Sequence, residues 1–311
     1  MNTEIAKLLD IDGRLECDRI IDFIKTTVSM YNFNGVALGL SGGIDSALTL
    51  RLSVEALGKE NVFGLIMPER DSEISSKTDA VAQAAALGIP YKIIPITGIL
   101  RKLGTYTLVP RTFLIPRSYQ KKYVRIARQK IEQEIGEKIY LANLENVDHD
   151  YLSRSRAFYR SKHRVRMVLT YMHAERRNLM VAATSNKSEV LTGFFVKYGD
   201  AAGDIAPIAH LYKTQVFELA KYIRVPEQII KKDPSPDLIP GLTDEEAIGL
   251  SYLELDRILA GIENGMNDEE ISRQTGIDME KIKYVNEIKQ KSEILRSCPI
   301  MLTADRWPLS L

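Results

Sequence analysis

The chain has 311 residues, 45% of them hydrophobic and 27% charged, with a formal net charge of +1 at pH 7. That is the make-up of a soluble globular protein with one large core and a smaller appended unit, and no run approaches the ~18 apolar residues a membrane-spanning helix needs. Cys17 and Cys298 lack metal-ligand spacing and read as reduced thiols, and the opening residues lack the basic-then-apolar pattern of a secretory signal, so the cytoplasm is the expected compartment.

In chain order, residues 19–30 carry Ile20, Ile21, Phe23, Ile24 and Val28 at the spacing of an amphipathic helix, and residues 36–40 then form a short buried strand. Its end runs into Gly39-Leu40-Ser41-Gly42-Gly43-Ile44-Asp45-Ser46, ahead of a helix over 47–57. That stretch reads as a phosphate cradle: glycines let the backbone approach an anion, and the first turn of the helix adds free amides and a positive dipole end. Ser41 and Ser46 can add hydroxyl donors, and Asp45 can hold Mg²⁺. The spacing fits neither a Walker A loop nor a GxGxxG turn. A strand over 62–67, a helix over 75–87 ended by Gly88, and a strand over 91–95 continue the alternation. Such alternation implies a doubly wound α/β fold, a parallel sheet with right-handed crossovers whose ligands bind at the carboxyl ends of the strands.

The segment 98–162 departs from that rhythm. Residues 106–117, with Pro110 and Pro116, read as irregular, 118–135 as a helix, and 143–155 as polar and helix-poor. Stretches of this length between core elements are often lids or interface pieces. From Arg117 to Arg177 there are 15 Lys and Arg against 7 Asp and Glu. The excess points to an anion, polyphosphate or nucleic acid, with a solvated helix face as the plain alternative. A strand over 179–183 leads into Thr184-Ser185-Asn186-Lys187-Ser188-Glu189, a second polar junction able to face the first across one site. Beyond Asp244 the chain is mostly helical. Two short helices around Gly276, over 268–278 and 279–291, share the outline of a helix-turn-helix DNA reader, but packing helices make the same outline and nucleic acid is not the favoured partner. Residues 303–311 read as a tail.

The glycine loop resembles the SGGxDS loop of the N-type ATP pyrophosphatases, which share an adenine nucleotide alpha hydrolase-like fold. Within that superfamily the chain resembles the ammonia-dependent NAD synthetases from about Asp18 to Asp256. The blocks that carry the resemblance are Met67-Pro68-Glu69-Arg70-Asp71-Ser72, Arg164-Val165-Arg166-Met167, Lys187-Ser188-Glu189, Thr192-Gly193-Phe194-Phe195, Asp204-Ile205-Ala206-Pro207, Leu211-Tyr212-Lys213 and Pro234-Ser235-Pro236-Asp237-Leu238. The resemblance implies that residues 39–46, Thr184, Lys213 and Ser235 bind ATP, that Asp45 and Glu189 hold Mg²⁺, and that Asp45, Glu189 and Lys213 serve catalysis. It assigns Arg164, Lys197 and Asp204 to the deamido-NAD substrate. The implied reaction is adenylylation of the nicotinate carboxylate followed by attack of ammonia, free or from a separate glutaminase, in a homodimer. The expected organisation is a synthetase-like domain over 1–260, with a basic insertion at about 105–160, and a helical extension and tail over 261–311. One departure stands out. The family's C-terminal SEHKR segment, whose His-Lys pair meets deamido-NAD, is here Ser292-Glu293-Ile294-Leu295-Arg296. A related ligase acting on another carboxylate, a sugar acid or a secondary metabolite, is therefore the alternative. A non-catalytic nucleotide or nucleic-acid binder is the least supported, since Asp45, Glu189 and Lys213 are all retained.

Overall fold

The computed structural model describes residues 4–109, 117–235, 242–297 and 299. Four short strands, β1 (Gly35–Gly39), β2 (Val62–Ile66), β3 (Tyr91–Ile93) and β4 (Leu179–Val181), form one parallel sheet in the order β3-β2-β1-β4. Ala37 in the central strand β1 pairs with Phe63 of β2 on one side and Val181 of β4 on the other. Val36, Ala37 and Leu38 have no solvent exposure, the unbroken apolar run expected of a strand covered on both faces. Alternate side chains serve opposite faces. Val36 and Leu38 join Ile20, Leu48 and Val216 beneath the helices Gly13–Met30, Ile44–Leu57 and Lys213–Tyr222. Ala37 and Val181 join Leu65, Leu100 and Ala174 beneath Thr97–Lys102 and Asp150–Glu175. Helices on both faces of a parallel sheet make this the doubly wound α/β architecture the sequence implied.

A second core lies beside the sheet. Ile5 of the first helix, Glu4–Leu9, packs with Leu255 and Leu259 of Tyr252–Glu263, Ile271 of Asp268–Thr275, and Ile282 and Val285 of Met279–Lys291. The helix pair around Gly276 is thus buried against its neighbours along its apolar face.

Several expected bounds shift, each for a local reason. The helix over 19–30 begins at Gly13 because the Asp12 carboxylate accepts the amides of Arg14 and Leu15 at 2.9 and 3.0 Å. β1 ends at Gly39 rather than residue 40, and the helix after the loop starts at Ile44 rather than 47. The stretch 143–155, expected to be helix-poor, instead holds the end of Ile139–Leu144 and the start of the 26-residue helix Asp150–Glu175. Its polar residues mark a helix that faces a cavity and solvent, where the 3.6-residue apolar rhythm fades. Residues 110–116 of the expected irregular stretch, residues 236–238, Cys298 and the tail lie outside the described residues. No described helix is long and apolar enough to cross a membrane.

The helix Asp150–Glu175 is what gives the site depth. Its C-terminal half packs on β1 and β4. Arg166 donates to the carbonyl of Met67, the residue after β2, at 3.2 Å, so this level of the helix lies at the carboxyl edge of the sheet. At 1.5 Å per residue, the turns before Arg166 overhang that edge by roughly 24 Å.

Candidate active site

The glycine loop leaves β1 and turns at Gly42, whose φ of +79° is a conformation side chains resist; a Cβ there would lie 2.2 Å from the Ser76 carbonyl. Gly43 then caps the helix Ile44–Leu57 without a side-chain hydrogen bond. The first-turn amides have no acceptor within the helix, and together with its dipole they form an anion site. Ser41 steadies the loop, its Oγ accepting from the Gly43 amide at 3.2 Å and lying 3.1 Å from the Ser46 hydroxyl. Ser46 in turn donates to the Gly43 carbonyl at 3.0 Å.

Two further helix N-termini converge on this loop. Asn186 caps Lys187–Thr192: its side chain accepts the Glu189 amide at 3.0 Å, and the Glu189 carboxylate accepts the Asn186 amide at 3.2 Å. The Asn186 side-chain amide donates across to Asp45 at 2.9 Å. Lys213, the first residue of Lys213–Tyr222, is only 1% exposed, and its Nζ donates to Asp45 at 2.5 Å and to Glu189 at 3.4 Å. A lysine at a helix N-terminus opposes the dipole. Burial by itself would also push its ammonium down, yet the charges of Asp45 and Glu189 outweigh burial and hold it above the ordinary lysine range. Glu189 is raised as well, pushed up to about 8 by burial and then by the charge of Asp45.

Asp256 and Asp244 complete the arrangement. Asp256, on Tyr252–Glu263, accepts from the Ser188 hydroxyl and from the Thr214 amide at 2.8 Å, and Ser188 Oγ accepts the Lys213 amide at 2.9 Å. Asp256 therefore caps the helix that carries Lys213; burial pushes its carboxyl up to about 6. Asp244 accepts from the Tyr252 hydroxyl at 2.9 Å, while its other oxygen is buried with no partner among the described residues. Burial raises its carboxyl too.

The loop residues Gly39, Leu40, Ser41, Gly43, Ile44, Asp45 and Ser46 line one cavity of about 790 Å³ together with Thr184, Glu189, Lys213 and Ser235, within the range of small-molecule sites. The sequence-derived ATP set therefore comes together, with Gly42 shaping the loop from behind. The basic segment meets the same cavity, through Arg128, Arg156, Arg160 and Arg166. Its helix is pinned by a buried network in which Lys162, with 0% exposure, donates to Glu69 at 2.7 Å and Asp71 at 3.1 Å, and Tyr106 donates to Glu69 at 2.8 Å. Burial would raise the Asp71 carboxyl, but the Arg70 fork and the Lys162 charge hold it below its ordinary range.

Arg164, Lys197 and Asp204 are not among the residues lining that cavity. Arg164 donates to the Lys197 carbonyl at 3.4 Å, Lys197 Nζ to the Ile294 carbonyl at 2.9 Å, and Asp204 accepts from the Val181 amide at 2.7 Å and the Tyr171 hydroxyl at 3.3 Å. Leu295, in the departing C-terminal segment, does line the cavity. Sequence reasoning missed Asn186, Asp244 and Asp256. The first was readable from the spacing of Asn186 and Glu189 as a capping box. Asp244 sits in a similar signature between Thr243 and Glu246, which marks a helix start and says nothing of a site. Asp256 has no local signal.

Comparison with known proteins covers most of the chain. The family model described as NAD synthase matches residues 16–140 and 121–299. An NH₃-dependent NAD⁺ synthetase of Thermotoga neapolitana is 47% identical over 289 residues, 93% of this chain and 96% of that one. One from Methanocaldococcus jannaschii is 41% identical over 283 residues, 91% and 94% of the two chains. Among solved structures, an NH₃-dependent NAD synthetase of Campylobacter jejuni matches with a TM-score of 0.68 at 31% identity, over 94% of this chain and all of that one. An NMN synthetase of Francisella tularensis matches with a TM-score of 0.70 at 25% identity, over 96% and 100%. With the glycine loop, the capping junction after β4 and the buried lysine all in place, the chain belongs to the NAD synthase family.

Proposed function

We propose that this chain is an ammonia-dependent NAD synthetase. The carboxylate of deamido-NAD attacks the α-phosphorus of ATP and pyrophosphate leaves; ammonia then attacks the acyl carbon, loses a proton, and displaces AMP to give the amide of NAD. The observation that carries this reading is the meeting of Asp45, Asn186, Glu189 and Lys213 at the mouth of the glycine loop. Joining two anions requires that their repulsion be offset and the departing charge be neutralised. The amides of residues 39–46 with the Ser41 and Ser46 hydroxyls would cradle the pyrophosphate, Lys213 would meet its charge, and Thr184 and Ser235 would contact ATP from the opposite wall of the cavity.

The donor set fits Mg²⁺. Asp45 and Glu189 both reach a single ammonium and offer the hard oxygen donors that Mg²⁺ takes. Held by Asp45 and Glu189, Mg²⁺ would neutralise charge on the phosphates. Arg164, Lys197 and Asp204 are assigned to the acceptor from outside the ATP cavity, which favours a homodimer in which this surface meets a second copy. Val168, Met172 and Tyr198 expose apolar side chains beside them. A fully active monomer in sedimentation velocity would sink that part of the reading. The proposed compartment is the cytoplasm.

The deciding assay supplies ATP, Mg²⁺, ammonium and deamido-NAD and measures AMP, pyrophosphate and NAD, which should appear in equal amounts. A second reading, amidation of another nicotinate-bearing or unrelated acid, is favoured at one point. Leu295 brings neither charge nor hydrogen bond to the cavity, and one structural neighbour acts, by its name, at the mononucleotide level. AMP formed only with the mononucleotide, or only with a different acid, would replace the dinucleotide assignment.

A further inference from the structure

The helix Asp150–Glu175 carries five arginines, and four make hydrogen bonds within the protein. Arg154 donates to Asp150 at 2.9 Å, and Arg156 to the Val147 carbonyl at 3.2 Å and the Ser153 hydroxyl at 3.0 Å. Arg164 donates to the Lys197 carbonyl, and Arg166 to the Met67 carbonyl. Arg160 alone makes no hydrogen bond or ion pair among the described residues. It is half-buried, lines the cavity shared with Asp45 and Lys213, and has Arg156 and Arg164 one turn away on either side. Burial, and then those two like charges, disfavour its guanidinium. A partly desolvated cation among cations, facing a ligand cavity, is an arrangement completed by an anion.

From this position we infer that Arg160 binds a phosphate of the acceptor nucleotide and is a specificity-determining residue for phosphate-bearing over phosphate-free acceptors. The inference rests on the acceptor being a nicotinate nucleotide, as proposed above. Arg160 lies six positions before Arg166, which marks the sheet edge, so Arg160 stands roughly 9 Å beyond that edge along the helix. The phosphates of ATP are met at the edge itself, by the loop amides and Lys213, and the acceptor must lie farther out along the overhang. A guanidinium offers a planar fork matched to phosphate oxygens. Leu295, the residue that lines the cavity from the C-terminal segment, cannot provide such a contact.

The test compares deamido-NAD with nicotinate riboside, which carries the same carboxylate without phosphate, in wild type, Arg160→Gln and Arg160→Lys. In Arg160→Gln the ratio of kcat/KM for deamido-NAD over that for the riboside should fall about ten- to hundredfold, the loss of one charge-assisted hydrogen bond. Arg160→Lys should recover part of it, and the KM for ATP should stay within about twofold. Equal loss with both acceptors, no loss with either, or a raised KM for ATP with unchanged discrimination would each overturn the inference. Wild-type formation of NAD tests the function separately. If no NAD forms, calorimetric binding of deamido-NAD and the riboside to the same three proteins still decides the role of Arg160, and failure of wild type to bind deamido-NAD overturns both.

Discussion

At the sheet edge Asp45, Asn186, Glu189 and Lys213 satisfy one another within hydrogen-bonding distance, whereas on the overhanging helix Arg160 faces the same cavity with no acceptor among the described residues. The first group is held by helix N-termini whose caps are themselves part of the site; the second projects from one long helix fixed from below by Lys162, Glu69 and Asp71. A ligand arriving at the edge has to displace or join existing partners, and a ligand arriving at the overhang supplies a missing one. Charge preset by the fold belongs at the end where bonds change, since it costs no reorganisation during the reaction. Unpaired charge belongs at the end where a substrate is chosen, because it discriminates against molecules that leave it unpaired.

Four substitutions test that contrast. Asp45→Asn should reduce pyrophosphate release by on the order of 10³-fold or more, the scale of losing a group that stabilises transition-state charge. Circular dichroism and gel filtration should report an unchanged fold, and activity within tenfold of wild type would break the assignment. Lys162→Met leaves Glu69 buried without its cation and Asp71 with Arg70 alone, and should cost about 3–5 kcal/mol in urea unfolding. A cost below about 1 kcal/mol would mean that something else pins the overhang.

Asp256→Asn removes one acceptor beneath the Lys213 helix and should show a dependence on pH. The folded-state pKa of Asp256, about 6, lies above its unfolded value, so its contribution is most favourable when protonated and is lost as pH rises through about 6. Relative to the Asn variant, wild type should therefore lose on the order of 2–3 kcal/mol between about pH 4 and pH 6, then change little. A stability difference flat across that range would refute the buried, proton-linked state. Ser41→Ala removes only an exposed brace on the loop and should cost at most about 1 kcal/mol, with a few-fold rise in the KM for ATP. A larger loss of kcat would move Ser41 from shaping the loop to acting on the reaction.

The two ends of the cavity also differ in how far they could be read from the chain. The edge was legible because its chemistry is local: a strand, a glycine turn and a helix in sequence, then a second strand followed by a capping box. Asp256 was not, because it reaches Ser188 and Thr214 from a helix of the second core, 68 and 42 positions away in the chain. The overhang was legible as charge and illegible as shape. Residues 143–155 read as helix-poor because polar residues dominate them, and nothing local marks Lys162 as the partner of Glu69 and Asp71. Arg164, Lys197 and Asp204, proposed for the acceptor, match by motif, yet their place outside the cavity lined by the glycine loop follows from tertiary packing alone.

The Asp45 carboxylate bonds Asn186 from 141 positions away and Lys213 from 168, and β4, which carries the junction to Asn186, pairs with β1 across the same span. During synthesis the glycine loop therefore emerges long before the residues that complete it. Closing loops of this length is slow, and pairings between distant parts of a chain form late. Such a site is completed late in folding, so ATP turnover in this protein doubles as a report that β4 has docked.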